Sequence, residues 1–381
     1  MANLEELRKE MDRVDDQFVT LFGERMQVAG KIAEYKRAQN LPVLNAQRER
    51  EKLADVASKS APELAEYTRV LYALLFELSR AYQDQLLDRH SALLDQVRAA
   101  IAETHPLFPQ APSVVCCGVE GAFAQQACEK LFRNPGMMYV QDFEHVFTAI
   151  EKGLCEYGVL PIENSTAGSV KQVYDAMIAH DFHIVRSVRL AIRHNLLALP
   201  CVKLSDIREV VSHEQALRQC DGFLQSLGVK LTVCENTAAA AELVAKSGRS
   251  DLACISSRAC AELYGLACLS EDVQDNANNH TRFICITKNL EIYPGADKTT
   301  LMMVLPNRPG SLYKVLARLY ALGINLIKLE SRPIPTRDFE FMFYLDLDTS
   351  IYSDDFARLL AELDGMCEQF QYLGSYSEVN G

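Results

Sequence analysis

Leu4, Leu7, Met11, Val14, Phe18, Leu21, Val28, Ile32 and Tyr35 recur at alternating spacings of three and four, and Arg25 takes the seam position between Leu21 and Val28. This pattern predicts one long helix from about Leu4 to Arg37 with a coiled-coil-like apolar seam. Such a helix runs roughly 50 Å, longer than a small domain is wide, so the seam is expected to pack on a second chain. A guanidinium inside the seam is costly unless an anion meets it. Lys36 points the same way as Arg25, roughly 16 Å further on, whereas Arg8 lies about 25 Å away and is turned by roughly 100°. Arg8 can therefore share a small pocket only with Arg25 of a partner chain. The alternative is that Arg25 pairs with a buried glutamate and the other two are solvated.

The pattern continues helical to residue 95. Asn3 and Glu6 have capping-box spacing, Pro42 breaks the first helix, and Asn45 caps a short second helix from Ala46. Pro62 opens a third helix whose apolar positions run through Val70, Leu74, Leu75 and Leu78. The proline-rich stretch 105–112 reads as a linker. From Ser113 short apolar runs (Val114–Cys117, Tyr157–Leu160, Val210–Val211, Leu252–Ile255, Phe283–Thr287) alternate with helical stretches, an α/β pattern. Residues 289–298, with Pro294-Gly295, read as a second linker. The last segment reads strand (300–305), helix (311–322), strand (325–331), strand (340–346), helix (353–363), strand (369–374), the order of a ferredoxin-like βαββαβ unit.

Composition narrows the partners. The net charge of −12 argues against nucleic acid and anionic membrane, so a local basic pocket points to a small anion. No apolar run is long enough to cross a bilayer, and the charged N-terminus is unlike a signal peptide. The 12 cysteines form no Cys-x-x-Cys pair and read as buried thiols of a reducing cytoplasm. The histidines show no metal spacing, and no glycine-rich phosphate loop occurs, so no cofactor or metal is expected.

Arg48 and Glu49 fall in the first turns of the second helix, and Ser79 and Gln83 share a face of the third. With Arg25, Lys36 and a partner's Arg8, these groups suit a hydroxylated dicarboxylate. The ordered set resembles an AroQ-type chorismate mutase over residues 1–95, which implies an intertwined dimer of three-helix chains and a pericyclic conversion of chorismate to prephenate. The resemblance assigns Arg8 and Arg25 to the carboxylates, Lys36 and Gln83 to the ether oxygen, Arg48 and Glu49 to the hydroxyl side, and Ser79 to the pocket wall. Asn45 stands where many relatives have aspartate.

Three polar turns come next: Pro161-Ile162-Glu163-Asn164-Ser165-Thr166, Ser212-His213-Glu214-Gln215-Ala216 with Gln219, and Asn278-Asn279-His280-Thr281-Arg282-Phe283. Together they resemble prephenate dehydratase over residues 113–288. That implies a two-lobed α/β fold like a periplasmic binding protein, and loss of water and carbon dioxide from prephenate to give phenylpyruvate. Thr281 is the implied donor to the leaving hydroxyl, acting as a hydrogen-bond donor because its pKa is poor for a general acid. Glu163, Asn164, Ser165, Thr166, His213, Gln215, Gln219 and Phe283 are implied around the substrate. Arg282 either binds a carboxylate or braces the lobes. Ala124 and Glu214 depart from the common serine and proline.

Asn307, Gly310, Ser311 and Leu312 form a strand-to-helix turn, and Glu330-Ser331-Arg332-Pro333 ends a neighbouring strand. These segments resemble the ACT regulatory domain over residues 298–376, which implies an L-phenylalanine site between paired domains and end-product inhibition. The chain as a whole is thus expected to be multidomain: a helical dimeric mutase, a two-lobed dehydratase and a βαββαβ sensor, in a homodimer or higher homo-oligomer. Two rivals remain at this point, an arogenate-preferring dehydratase and a non-catalytic phenylalanine-responsive binding protein.

Overall fold

The computed structural model describes residues 3–39, 41, 45–86, 92–334 and 340–380; the expected break at Pro42 lies outside them. The chain divides into two compact units, 1–92 and 93–381.

The first unit is helical: α1 (Leu4–Ala38), α2 (Ala46–Lys59) and α3 (Ala65–Leu86), the last preceded by a single 3-10 turn at Pro62–Leu64. The Asn3 amide donates to Glu6 at 3.1 Å and the Arg48 amide to Asn45 at 3.0 Å, so both expected caps form. The face that α1 buries is small, Ala29, Gly30 and Ala33, with Arg25 and Lys36 half-buried beside it. The apolar seam is a different face and stays bare: Leu21 is 62% and Val28 53% exposed, and nothing from Leu4 to Leu21 is buried.

In the second unit the strands are β1 (Ser113–Cys117), β2 (Gly136–Val140), β3 (Tyr157–Asn164), β4 (Gly168–Ser169), β5 (His183–Ala191), β6 (Asn195–Ala198), β7 (Glu209–Ser212), β8 (Lys230–Val233), β9 (Leu252–Ser256), β10 (Ala267–Ser270) and β11 (His280–Thr287). The first lobe carries the sheet order β5-β11-β3-β1-β2 and the second the order β10-β6-β9-β7-β8. The chain passes between the lobes twice, at 192–194 and 271–279, so the hinge lies beside the C-terminal ends of β3 and β7, where polar turns collect.

Four more strands follow: β12 (Lys298–Val304), β13 (Asn325–Pro333), β14 (Phe341–Asp348) and β15 (Gln369–Asn380). Their order β13-β14-β12-β15, with every neighbour antiparallel, is ferredoxin-like. Beyond Gly374 the strand β15 turns and pairs in parallel with β5 through Ser377–Asn380. Gly374 has φ +142°, and a Cβ there would overlap the Ile184 carbonyl oxygen. One face of this sheet (Met302, Val304, Met342, Tyr344) shares a core with Ile162, Val173 and Met177 of the first lobe.

Two expected linkers are built into this unit instead. Before the first of them, the helix α4 (Ala92–Glu103) buries Val97 and Ala100 among Leu301, Met303, Leu345 and Phe356. Phe108 stacks on Phe132 at 5.0 Å, meets Tyr293 edge-on at 4.8 Å, and lies under the Arg186 guanidinium at 3.7 Å. Ile292, Tyr293 and Ala296 of the second expected linker are likewise buried. Every partner in these contacts is remote in sequence, so proline content was a poor guide.

Candidate active sites

In the helical unit, α1 and α3 bring Arg25 to Ser79. The guanidinium donates to the Ser79 hydroxyl and, at 3.2 Å, to the Leu75 carbonyl, and lies 5.7 Å from the Phe76 ring centre. Ser79 passes its own proton to Leu75 O at 2.7 Å. Among the described residues no carboxylate meets Arg25, and burial lowers its pKa, so a bound anion would relieve the cost of that charge. Gln83 is buried and its Oε1 has no hydrogen-bond partner among the described residues. Glu49 pairs with Arg80, which also holds Glu77; Arg80 was not singled out in the sequence. Arg48 instead makes a surface pair with Glu51 at 3.8 Å and is 73% exposed, and Arg8 is exposed.

The second site lies between the lobes. A cleft of about 660 Å³ is lined by Thr166, His213, Gln215, Gln219, Asn279 and their neighbours. The His213 Nδ1 caps the helix at 214–219 by accepting from the Gln215 amide at 3.2 Å, which sets Gln215 and Gln219 along the wall.

A closed hydrogen-bond ring stands behind this wall. Asn164 Oδ1 accepts from the backbone amides of Ala167 (2.9 Å) and Thr166 (3.1 Å). Amides only donate, so this fixes which end of Asn164 is oxygen. Its Nδ2 then donates to Asn279 Oδ1 and to Thr281 Oγ1, both at 2.9 Å. Asn279 Nδ2 donates to Gln219 Oε1 at 3.0 Å, Gln219 Nε2 to Thr166 Oγ1 at 2.8 Å, and Thr166 Oγ1 back to Asn164 Oδ1 at 2.7 Å. Thr281 thus accepts from the ring, and no acceptor takes its own proton among the described residues. Turns separated by more than a hundred residues meet here, which no local pattern signals.

Several expected substrate contacts lie elsewhere. The Ser165 hydroxyl donates to Asn278 O at 2.8 Å and accepts from the His280 amide at 2.9 Å, so it staples two turns together. Side chains alternate along a strand, and the neighbours of Asn164 and Thr281 therefore face the other way. Glu163 pairs with Lys328 of β13 at 3.1 Å. Arg282 donates to Asp346 of β14 and Tyr376 of β15, and pairs with Glu378 at 3.3 Å. It ties the first lobe to the C-terminal sheet, and it is not among the residues that line the cleft. Burial opposes its charge, but Tyr376 and Asp346 outweigh that and raise its pKa. Phe283 is 3% exposed within the hydrophobic core of the first lobe.

Of the expected effector residues, Gly310 takes φ +84° and ends the turn before the helix Ser311–Ala321, with Asn307 in the same turn and Leu312 in the helix's first turn. Glu330 accepts from Ser169 at 2.7 Å, and Arg332 donates twice to Asp175 at 2.8 Å. Both therefore clasp the first lobe, while Ser331 is exposed on the opposite face of β13.

The second unit pairs a two-lobed body of periplasmic-binding-protein type, closed around a polar cleft, with a ferredoxin-like sheet. The family model for prephenate dehydratase matches residues 114–291, and that for type II chorismate mutase matches residues 7–84. The bifunctional chorismate mutase/prephenate dehydratase of Aquifex aeolicus is 30% identical over 100% of this chain and 99% of its own. Arogenate dehydratase/prephenate dehydratase 2 of Arabidopsis thaliana is 38% identical over 68% of this chain and 71% of its own. Among solved structures, a prephenate dehydratase from Arthrobacter aurescens in complex with L-Phe superposes with TM-score 0.64 at 28% identity, covering 70% of this chain and 89% of that one. A protein described as a novel type of quorum quenching acylase superposes equally, TM-score 0.64 at 31% identity, covering 70% and 98%. The chain belongs to the bifunctional chorismate mutase/prephenate dehydratase family.

Proposed function

We propose that the helical unit rearranges chorismate to prephenate and that the inter-lobe cleft converts prephenate to phenylpyruvate. The observation that carries the second activity is the Asn164–Thr281 contact. It leaves the Thr281 O–H free to hydrogen-bond the departing ring hydroxyl, while aromatisation drives loss of the carboxylate. Asn164, Thr166, Gln219 and Asn279 hold that hydroxyl in place, and His213 and Gln215 border the substrate. The mutase reaction needs no nucleophile, only a folded substrate in a positive field. Arg25 receives one carboxylate, and Lys36 and Gln83 serve the ether oxygen. Arg8 of a second copy completes the pocket, a role supported by the bare apolar seam from Leu4 to Tyr35.

The C-terminal sheet acts as an ACT-type sensor for L-phenylalanine, with the Gly310–Leu312 turn and the exposed Ser331 face of β13 on its binding side. The strand β13 is an edge strand with Ile327 and Leu329 exposed, a surface suited to a second copy. An amide-hydrolysing alternative would need an activated nucleophile, whereas the Ser165 hydroxyl gives its proton to a backbone carbonyl and not to a base. The deciding experiment follows phenylpyruvate formation from chorismate and from prephenate, with and without L-phenylalanine, and phenylalanine formation from arogenate. Absence of both phenylpyruvate from prephenate and phenylalanine from arogenate would refute the dehydratase reading.

A further inference from the structure

His194 lies in the first crossover between the lobes, and no motif drew attention to it. Its side chain is 2% exposed, and Phe123 meets its ring edge-on at 5.8 Å. The crossover backbone is held on both sides: the His194 amide donates to Gln274 Oε1 and the His194 carbonyl accepts from the Val273 amide, each at 2.8 Å. The imidazole Nε2 stands 2.9 Å from Gln219 Oε1.

The polarity of the ring behind the cleft decides what that contact is. Backbone amides force Asn164 Oδ1 to accept. Asn164 Nδ2 must then donate to Asn279, and Asn279 Nδ2 to Gln219 Oε1. The oxygen of Gln219 therefore faces His194, and only a protonated Nε2 can meet it. The other ring nitrogen, Nδ1, is buried and has no partner among the described residues. Burial disfavours imidazolium, which leaves the neutral Nε2–H tautomer.

We propose that His194 is a positioning residue for the dehydratase reaction: its Nε2–H locks the Gln219 amide with Nε2 on Thr166, and so keeps closed the hydrogen-bond ring that seats Asn164 against Thr281. His194 itself touches no reacting atom. It acts from the hinge through a side chain of the second lobe on side chains of the first, so the ring closes only with the lobes in register. Without this donor, Gln219 keeps a single donor at Oε1, from Asn279, and its amide can rotate out of the ring. The inference rests on the prephenate dehydratase reading of the cleft and is separable from it.

The test uses the full chain. His194→Leu removes the donor, and His194→Gln puts an amide N–H close to where Nε2–H stood. With prephenate as substrate, His194→Leu should lose at least about tenfold in kcat with KM changed by less than about threefold. His194→Gln should recover most of that loss, and mutase turnover should be unchanged in both. Equal losses in the two variants would make the role one of packing and overturn the proposal, as would a kcat for His194→Leu near that of the unaltered chain. Should His194→Leu fail to fold, ¹⁵N chemical shifts of the unaltered chain decide, with the His194 signal assigned by its disappearance in His194→Gln. A protonated Nε2 with a bare Nδ1 is expected, and the opposite tautomer ends the proposal. An unaltered chain inactive on prephenate would sink the parent reading instead.

Discussion

Arg282 donates to Asp346 at 2.5 Å across 64 residues of sequence, and both side chains are buried. The arginine is the chain neighbour of Thr281, yet its guanidinium lies on the other side of the sheet, among Asp346, Tyr376 and Glu378. Removing one partner of a buried pair leaves an uncompensated charge, which costs about 3–5 kcal/mol. Asp346→Ala and Arg282→Leu should therefore each lower the unfolding temperature of the second unit by on the order of 10 °C. Any protein that remains folded should keep its KM for prephenate within about twofold, because a brace supplies no ground-state binding. Calorimetry with steady-state kinetics on the same preparations checks this. A tenfold rise in KM at unchanged stability would restore Arg282 to the cleft.

Thr281 accepts from Asn164 and keeps its own proton. Thr281→Ala should therefore cost about 10²-fold or more in dehydratase kcat, the scale of losing one transition-state donor. Thr281→Ser keeps the hydroxyl and should retain much more. Chorismate mutase turnover, measured on the same samples, should be unaffected; equal loss of both activities would indicate misfolding.

Much of this site was legible as residue types in order, and much of what surrounds it was not. Asn164, Gln219 and Thr281 stand out because polar residues beside apolar strands need a reason. Glu163 and Arg282 stood in the same motifs, and strand alternation was the available signal that they face away from the cleft. His194 carried no signal, because its importance comes from Gln219 and Asn279, which only the folded chain brings near. The linker reading of 105–112 failed for the same reason: Phe108 finds its aromatic partners at 132, 157 and 293. The long first helix was read correctly in extent, but its intrachain contact uses Ala29, Gly30 and Ala33, small residues that an apolar count passes over.

In the helical unit, among the described residues, Gln83 keeps an unpartnered buried oxygen and Arg25 a charge that no carboxylate meets. Lys36→Ala should lower mutase kcat by roughly 10²-fold, as expected for loss of a donor to the ether oxygen. Gln83→Leu removes a buried unsatisfied group, so it should raise the unfolding temperature slightly while lowering mutase turnover. Activity and stability would then move in opposite directions, the mark of a group kept for chemistry. Dehydratase turnover from prephenate serves as the internal control.

His180 stacks on Phe147 and bridges Glu144 at 2.7 Å and Glu151 at 2.8 Å. Burial alone would lower its pKa, but the two carboxylates prevail and raise it above 6.5. The hydrogen bond from His180, against a smaller effect of burial, lowers Glu151 below 4.5. A raised histidine stabilises below its unfolded pKa and loses that contribution as pH rises through the folded value; a lowered carboxylate contributes above its unfolded pKa and loses it as pH falls. Both contributions overlap between about pH 5 and 6.5. The unfolding temperatures of the unaltered chain and His180→Gln should therefore differ most near pH 6 and converge above pH 8. A gap independent of pH would assign the effect to ring stacking.

Lys328 joins Glu163 at 3.1 Å and donates to Ser169 at 2.9 Å, so β13 grips the strand end that presents Asn164. In the sensor reading proposed above the contacts of β13 must differ between two states, and this clasp is a physical path from β13 toward the cleft. Lys328→Met should leave phenylalanine-free dehydratase turnover within about twofold, because the pair touches no substrate. The phenylalanine concentration for half-inhibition should rise several-fold, a coupling change of about 1 kcal/mol. Direct binding of L-phenylalanine, measured by calorimetry, separates lost coupling from lost affinity. Thermodynamic reciprocity links the two: weaker coupling must also reduce the effect of a bound substrate analogue on phenylalanine affinity, by the same factor. If half-inhibition is unchanged while the Lys328 variant remains folded, the signal takes another route, and the buried Arg282–Asp346 pair is the next to test.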